Sequence, residues 1–165
     1  MTRLIVCDTG PLLHLSEAGA IHLLPLAGEI VVPPVEAWEF EQNAQRWKPP
    51  QWVRVRELDE ISNRKSARWV RAKHLDPGES AAVALTLQLR ADWLLTDDAK
   101  ARQFAESMDL EVHGSIGLLL WSVAEGQVND PANAVALLDA LANSSLWISK
   151  RVLHVGRQAI DNLLS

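Results

Sequence analysis

Four carboxylates, Asp8, Glu79, Asp97 and Asp98, fall at the boundaries of apolar runs, where they could act together. Asp8 closes the run Leu4-Ile-Val-Cys7 and precedes Thr9-Gly10-Pro11, which turns the chain into a leucine-rich stretch. Asp97 and Asp98 follow Trp93-Leu-Leu-Thr96, and Glu79 stands at the head of an apolar segment, three residues after Asp76. A short apolar run that stops at a turn reads as a buried strand, and parallel strands deliver their carboxyl ends to one edge of a sheet. If the segment led by Glu79 is a helix antiparallel to the strand after it, its start lies at that same edge. Three separate segments then meet in one acidic pocket. Crowded carboxylates repel and resist desolvation, so such a cluster calls for a cation. Oxygen-only donors favour Mg²⁺ or Mn²⁺ over zinc.

Each acid also has an ordinary explanation. Asp76 with Glu79 forms a capping-box pattern, worth about 1 kcal/mol to a helix start. Asp97 or Asp98 could be an N-cap beside a favourable helix dipole. Asp8 could cap the first helix, and Glu39 could belong to a solvated face shared with Glu36 and Glu41. The five histidines, His14, His22, His74, His113 and His154, show no metal-ligand spacing, which predicts surface or packing roles. Cys7 is the only cysteine and lies inside the first apolar run, so neither a disulfide framework nor a cysteine metal site is expected.

The elements that must position these acids alternate between strand and helix. Strands are predicted at Leu4–Cys7, Gly28–Val32, Trp52–Arg56, Asp92–Thr96 and Glu111–His113. Trp52-Val-Arg-Val-Arg56 alternates apolar and basic residues, as an edge strand with one wet face would. Helices are predicted at Pro11–Ala18 and Ile21–Leu26, after Pro33-Pro34, and at Ser80–Leu89, with the basic stretch Asn63–His74 before the last of these. Others follow Asp97-Asp98 and cover Ser115–Glu125, Pro131–Leu141 and Ser149–Leu164, the last carrying Val152, Ile160 and Leu163 inward. The Ser80–Leu89 segment is apolar nearly all round and should be buried on several sides. The alternation implies an α/β fold with a central, mainly parallel sheet covered on both faces.

With 165 residues, 48% of them hydrophobic, and no long linker, the chain is expected to form one domain. No apolar run approaches the roughly 18 residues of a membrane span, so a cytoplasmic protein is expected. The net charge of −5 argues against nucleic-acid binding by overall charge. One or two bound divalent cations would bring it to about −3 or −1, so local patches matter more than the total.

The order of segments resembles the PIN-domain family, in particular the VapC-like ribonuclease toxins of prokaryotic toxin–antitoxin pairs. The matching stretches are Val6-Cys-Asp8-Thr-Gly-Pro-Leu, Val31-Val-Pro-Pro-Val-Glu-Ala-Trp-Glu39-Phe, Leu75-Asp-Pro-Gly-Glu79-Ser-Ala-Ala, Ala91-Asp-Trp-Leu-Leu-Thr-Asp97-Asp98-Ala-Lys-Ala-Arg102 and Val112-His-Gly-Ser-Ile-Gly. The resemblance implies a three-layer α/β/α PIN-like fold, with a core over about residues 1–120 and a helical C-terminal extension over about 121–165. It also implies a metal-dependent endoribonuclease with catalytic acids Asp8, Glu39, Glu79 and Asp98. Asp8, Asp98, Asp97 and Glu79 would hold Mg²⁺ or Mn²⁺, with Asp98 the closer ligand by the Thr-x-Asp spacing of many members. Glu79 departs from the Asp common at that place, and the doubled Asp97-Asp98 is a second departure. Implied partners are an RNA substrate, a small antitoxin protein and a second copy in a homodimer, with no membrane.

RNA must still be drawn to an acidic pocket. Arg64, Lys65, Arg68, Arg71 and Lys73 offer phosphate contacts, and Trp69 could stack on a base; equally, the segment could be a solvated face with Trp69 packed inward. Of the seven tryptophans, Trp47, Trp52 and Trp69 lie nearest this basic segment and are the candidates for RNA or partner contact. A phosphotransferase of the haloacid-dehalogenase kind would place a second aspartate where Gly10 stands, and a receiver domain would pair its acids near the first strand. A non-catalytic PIN-like module that binds protein or RNA is the alternative of a different class.

Overall fold

The computed structural model describes residues 2–34 and 49–165. Five strands, β1 (Leu4–Cys7), β2 (Glu29–Val32), β3 (Val53–Val55), β4 (Trp93–Leu95) and β5 (Val112–His113), form one sheet in the order β3-β2-β1-β4-β5. Every pairing is parallel: Ile5 stands opposite both Ile30 and Trp93, Ile30 opposite Val53, and Leu94 opposite Val112. The helices are α1 (Thr9–Glu17), α2 (Leu24–Ala27), α3 (Glu60–Arg71), α4 (Pro77–Leu89), α5 (Ala99–Glu106), α6 (Ser115–Ala124), α7 (Pro131–Ala142) and α8 (Lys150–Leu164). A 3₁₀ turn at Ile21–Leu23 leads into α2.

Side chains alternate across the sheet and divide the core in two. Ile5, Cys7, Ile30, Val32, Trp93 and Leu95 face one way, against α1, α6, α7 and α8. Val6, Val31 and Leu94 face the other way, against α4 and α5. This is a three-layer α/β/α arrangement. Apolar runs without alternation are what strands buried on both faces require, and β1 at the centre has none of its last three residues exposed. The strand at Trp52–Arg56 is an edge strand, as its alternation predicts, with Arg54 and Val55 exposed.

Helix α4 is buried from Ser80 to Thr86, in keeping with its apolar sequence. Its head is fixed to α3 by two serines: Ser80 Oγ donates to the Ser66 carbonyl at 2.7 Å, and the two hydroxyls lie 3.1 Å apart. The helix ends at Arg90 in the left-handed region (φ 50°), which turns the chain into β4 within a few residues. Glu79 is thereby held at the end of the sheet where β1 and β4 stop.

Helix α8 departs from expectation. Val152 and Leu163 are exposed, while Gly156 and Ile160 are buried and Leu153 and Leu164 pack on the core. The reason is close approach to α7: a Cβ on Gly156 would stand 3.1 Å from Leu138 Cδ2, so the glycine sets which stripe turns inward. The helix expected after Pro33-Pro34, with Trp38, Glu39 and Phe40, lies outside the described residues.

Candidate active site

Asp8 follows β1 and is only 9% exposed. It caps α1, with Oδ1 accepting from the Thr9 amide at 2.9 Å, and Oδ2 accepts from the Thr96 hydroxyl at 2.8 Å. The Asp8 amide itself donates to the Leu95 carbonyl at 2.8 Å, so the ladder between β1 and β4 runs up to the carboxylate. Thr96 is fully buried, and its hydroxyl also lies 3.3 Å from the Asp98 amide. Asp98 caps α5 by accepting from the Ala101 amide at 2.8 Å, and its side chain is otherwise at the surface. Both acids therefore fill the capping role that their positions suggest. Capping leaves each carboxylate further lone-pair capacity.

Glu79 differs from a plain capping-box glutamate. Asp76 caps α4 by accepting from the Glu79 amide at 2.8 Å, but the Glu79 side chain is half-buried. Its buried Oε2 has no hydrogen-bond partner among the described residues. Burial pushes the carboxyl up to about 9, helped by hydrogen bonding with the carboxyls of Asp76 and Asp98 and by their charges. With acceptors on both sides, Glu79 must carry a proton or share a cation. A divalent ion with oxygen ligands fits this donor set. Among the described residues, no group of three His, Cys, Asp or Glu side chains is placed to hold a metal ion. A hydrated Mg²⁺, which keeps several waters and takes one or two carboxylates directly, does not need such a group.

Asp97 is engaged elsewhere. Its Oδ1 accepts from the Ser115 amide at 2.7 Å, and its Oδ2 accepts from the Ser115 hydroxyl at 2.6 Å and from His14 Nδ1 at 2.7 Å. The pair is nearly closed to solvent, with side-chain exposures of 13% for His14 and 9% for Asp97. Gly114 lets the carboxylate in, because a Cβ there would stand 2.8 Å from Asp97 Oδ1. Asp97 thus ties α1 and α6 to the end of β4. His14 is neither a surface nor a packing residue but part of the site. No sequence spacing marks it, since its partner is 83 residues away.

Asp8, Asp97 and Asp98 line one open cavity of about 340 Å³, together with His14, Gly10 and residues 145–147. Glu79 joins this group through Asp98. Glu39 lies outside the described residues, as does Trp47. The basic side chains Arg64, Lys65, Arg68 and Arg71 are exposed on α3, Arg64 in an ion pair with Glu60, and Lys73 follows in the turn after the helix. That turn is tied to α5, the helix Asp98 caps, by Lys100 Nζ donating to the Lys73 carbonyl at 3.0 Å. Trp69 packs inward, edge-on to Phe104 at 5.1 Å, and Trp52 packs against the core.

A family model described as a PIN domain matches residues 4–161, nearly the whole chain. The chain belongs to the PIN-domain family. Its three-layer fold is that of a nuclease-type domain, and members of the family are generally nucleases that use divalent metals. No curated protein matches the chain. Among the described residues, no helix is long and apolar enough to cross a membrane.

Proposed function

We propose that this protein is a metal-dependent endoribonuclease of the VapC-like kind, the toxin of a toxin–antitoxin pair. The observation that carries the reading is Glu79. A half-buried glutamate whose Oε2 has no partner among the described residues, set beside Asp98 on the sheet edge that also presents Asp8, has an unmet demand for a proton or a cation. A bound Mg²⁺ or Mn²⁺ supplies a water of lowered pKa and charge neutralisation at the scissile phosphate.

The chain's own groups account for the rest. Asp8, fixed by Thr9 and Thr96, is the rigid ligand. Asp98 is the more exposed one, and Glu79 completes the set directly or through water. Glu39 is the further acid that the family pattern assigns. Asp97 fits a positioning role better than a ligand's, because three donors already occupy its oxygens. Arg64, Lys65, Arg68, Arg71 and Lys73 attract the RNA backbone.

An antitoxin would cover the acidic cavity, with an arginine paired to the carboxylates. A homodimer and a cytoplasmic location complete the reading. The two core clusters on opposite faces of one sheet support treating the chain as a single domain.

The test is cleavage of labelled single-stranded RNA with Mg²⁺ or Mn²⁺, against EDTA and against D8N and D98N proteins checked for native melting. Metal-dependent cleavage lost in both variants is the expected result. The lack of a metal-holding group of three such side chains among the described residues favours one alternative, a binding module without catalysis. Calorimetric titration with Mn²⁺ separates the two, since a binding module has no need of the ion.

A further inference from the structure

Trp147 is the most exposed large apolar side chain among the described residues, at 84%. It lies in the segment between α7 and α8 and, with Leu146 and Asp97, borders two cavities at once. One is the acidic cavity of Asp8 and Asp98. The other, about 370 Å³, has Arg102 and Gly114 in its wall with Ile116, Ile148 and Val152. Both volumes fall in the range of small-ligand sites.

Arg102 is half-buried, and among the described residues it has no ion-pair partner. Its guanidinium lies against Gly114, where a Cβ would stand 3.0 Å from Nη2. The Asp97 carboxylate lines the same cavity, but His14 and Ser115 already bond its oxygens, so the half-buried guanidinium keeps donors for a phosphate while the exposed indole on the same cavity wall offers a face to a base.

We propose that Trp147 and Arg102 form a subsite for one unpaired nucleotide of the RNA, adjoining the acidic cavity. The base stacks on the Trp147 indole, and Arg102 holds a neighbouring phosphate. This rests on the ribonuclease reading and adds to it the two side chains that receive one unpaired nucleotide, since a paired base cannot stack on a side chain. The pairing of one exposed aromatic face with one half-buried guanidinium in a single cavity wall matches the base-and-phosphate alternation of RNA, and a protein segment is the other outcome of the test.

The experiment measures anisotropy of fluorescein-labelled single-stranded oligo(A) and oligo(U) about ten nucleotides long, using D8N protein so that the RNA stays intact. Wild-type cleavage is followed in parallel. W147A should weaken binding about 5- to 160-fold, the worth of one stacked base, and W147F should retain most of it. An abasic nucleotide scanned along the RNA should reproduce the loss at one position, and there W147A should add nothing further. R102Q should lower the slope of log K against log salt by about 0.7 for a single strand. Unchanged affinity in W147A, with wild-type cleavage intact, overturns the subsite and leaves the Trp147 surface to a protein partner. Absence of both RNA binding and wild-type cleavage overturns the ribonuclease reading and the subsite with it.

Discussion

The Thr96 hydroxyl donates to Asp8 Oδ2 at 2.8 Å, joining the ends of two adjacent parallel strands that are 88 residues apart in sequence. The bond is buried, so deleting the hydroxyl strands a carboxylate oxygen without its donor. T96V should cost about 1–3 kcal/mol of stability, read by urea unfolding, and should slow cleavage at least tenfold while T96S restores both. A T96V protein with native stability and rate would show that the bond neither holds nor orients Asp8.

Glu79 gives a pH dependence with a definite sign. Its carboxyl is raised from an ordinary value of 4.5 to about 9, so between these limits the native state binds more protons than the unfolded state. Metal-free stability should therefore be highest below about pH 4.5, as far as this group is concerned, and fall as pH rises toward 9. E79Q should flatten that part of the profile in thermal melts recorded with EDTA. Mn²⁺ should raise the melting temperature of the wild type more at pH 8 than at pH 5, because it replaces a proton that is harder to remove at low pH. Equal metal shifts at the two pH values would take Glu79 out of the ion's surroundings.

The two neighbouring aspartates should separate by function. D98N should lower Mn²⁺ affinity at least tenfold in calorimetry and change stability by about 1 kcal/mol, the worth of a cap. D97N should do the reverse, costing about 1–3 kcal/mol through the Ser115 and His14 bonds it weakens and leaving Mn²⁺ affinity within a few-fold. G114A should resemble D97N, since its Cβ meets Asp97 Oδ1 at 2.8 Å. The opposite pattern would make Asp97 the ligand.

The basic face of α3 is tested by salt. Arg68 and Arg71 are exposed, so R68Q/R71Q should leave stability within about 0.5 kcal/mol. If both touch phosphates, the slope of log K against log salt for single-stranded RNA should fall by about 1.4 in all. An unchanged slope would mark the face as merely solvated.

Most of the framework was legible because it is written locally. Leu4–Cys7, Glu29–Val32 and Trp93–Leu95 are apolar runs that end at turns, and Asp76-Pro77 and Asp130-Pro131 announce helix starts by capping chemistry. That Asp8 and Asp98 share an edge followed from parallel pairing alone. What was not legible depends on contacts between distant segments. His14 looked like any polar residue in a leucine-rich helix until Asp97 came within 2.7 Å. Nothing local in the sequence sets Trp147 apart from a core or interface tryptophan, the default for its type, and its exposure is set by how α7 and α8 pack. The inward stripe of α8 is hidden from its sequence for a related reason. Gly156 carries no hydrophobic signal, yet its lack of a side chain lets Leu138 approach and turns Val152 and Leu163 outward.

The central place of β1 in the sheet has a further consequence, in time rather than space. β1 is made early, but β4, its neighbour toward β5, and Thr96, which holds Asp8, come 88 residues later. At about 5–20 residues per second, a growing chain spends roughly 4–18 s with Asp8 already synthesised and its clasp still missing. Parallel pairings at this separation also form slowly, because the intervening loop must close before the contact rewards it. The nascent chain therefore carries Asp8 without its partner for that interval, and Asp8, Asp97 and Asp98 come together only once β4 has paired with β1.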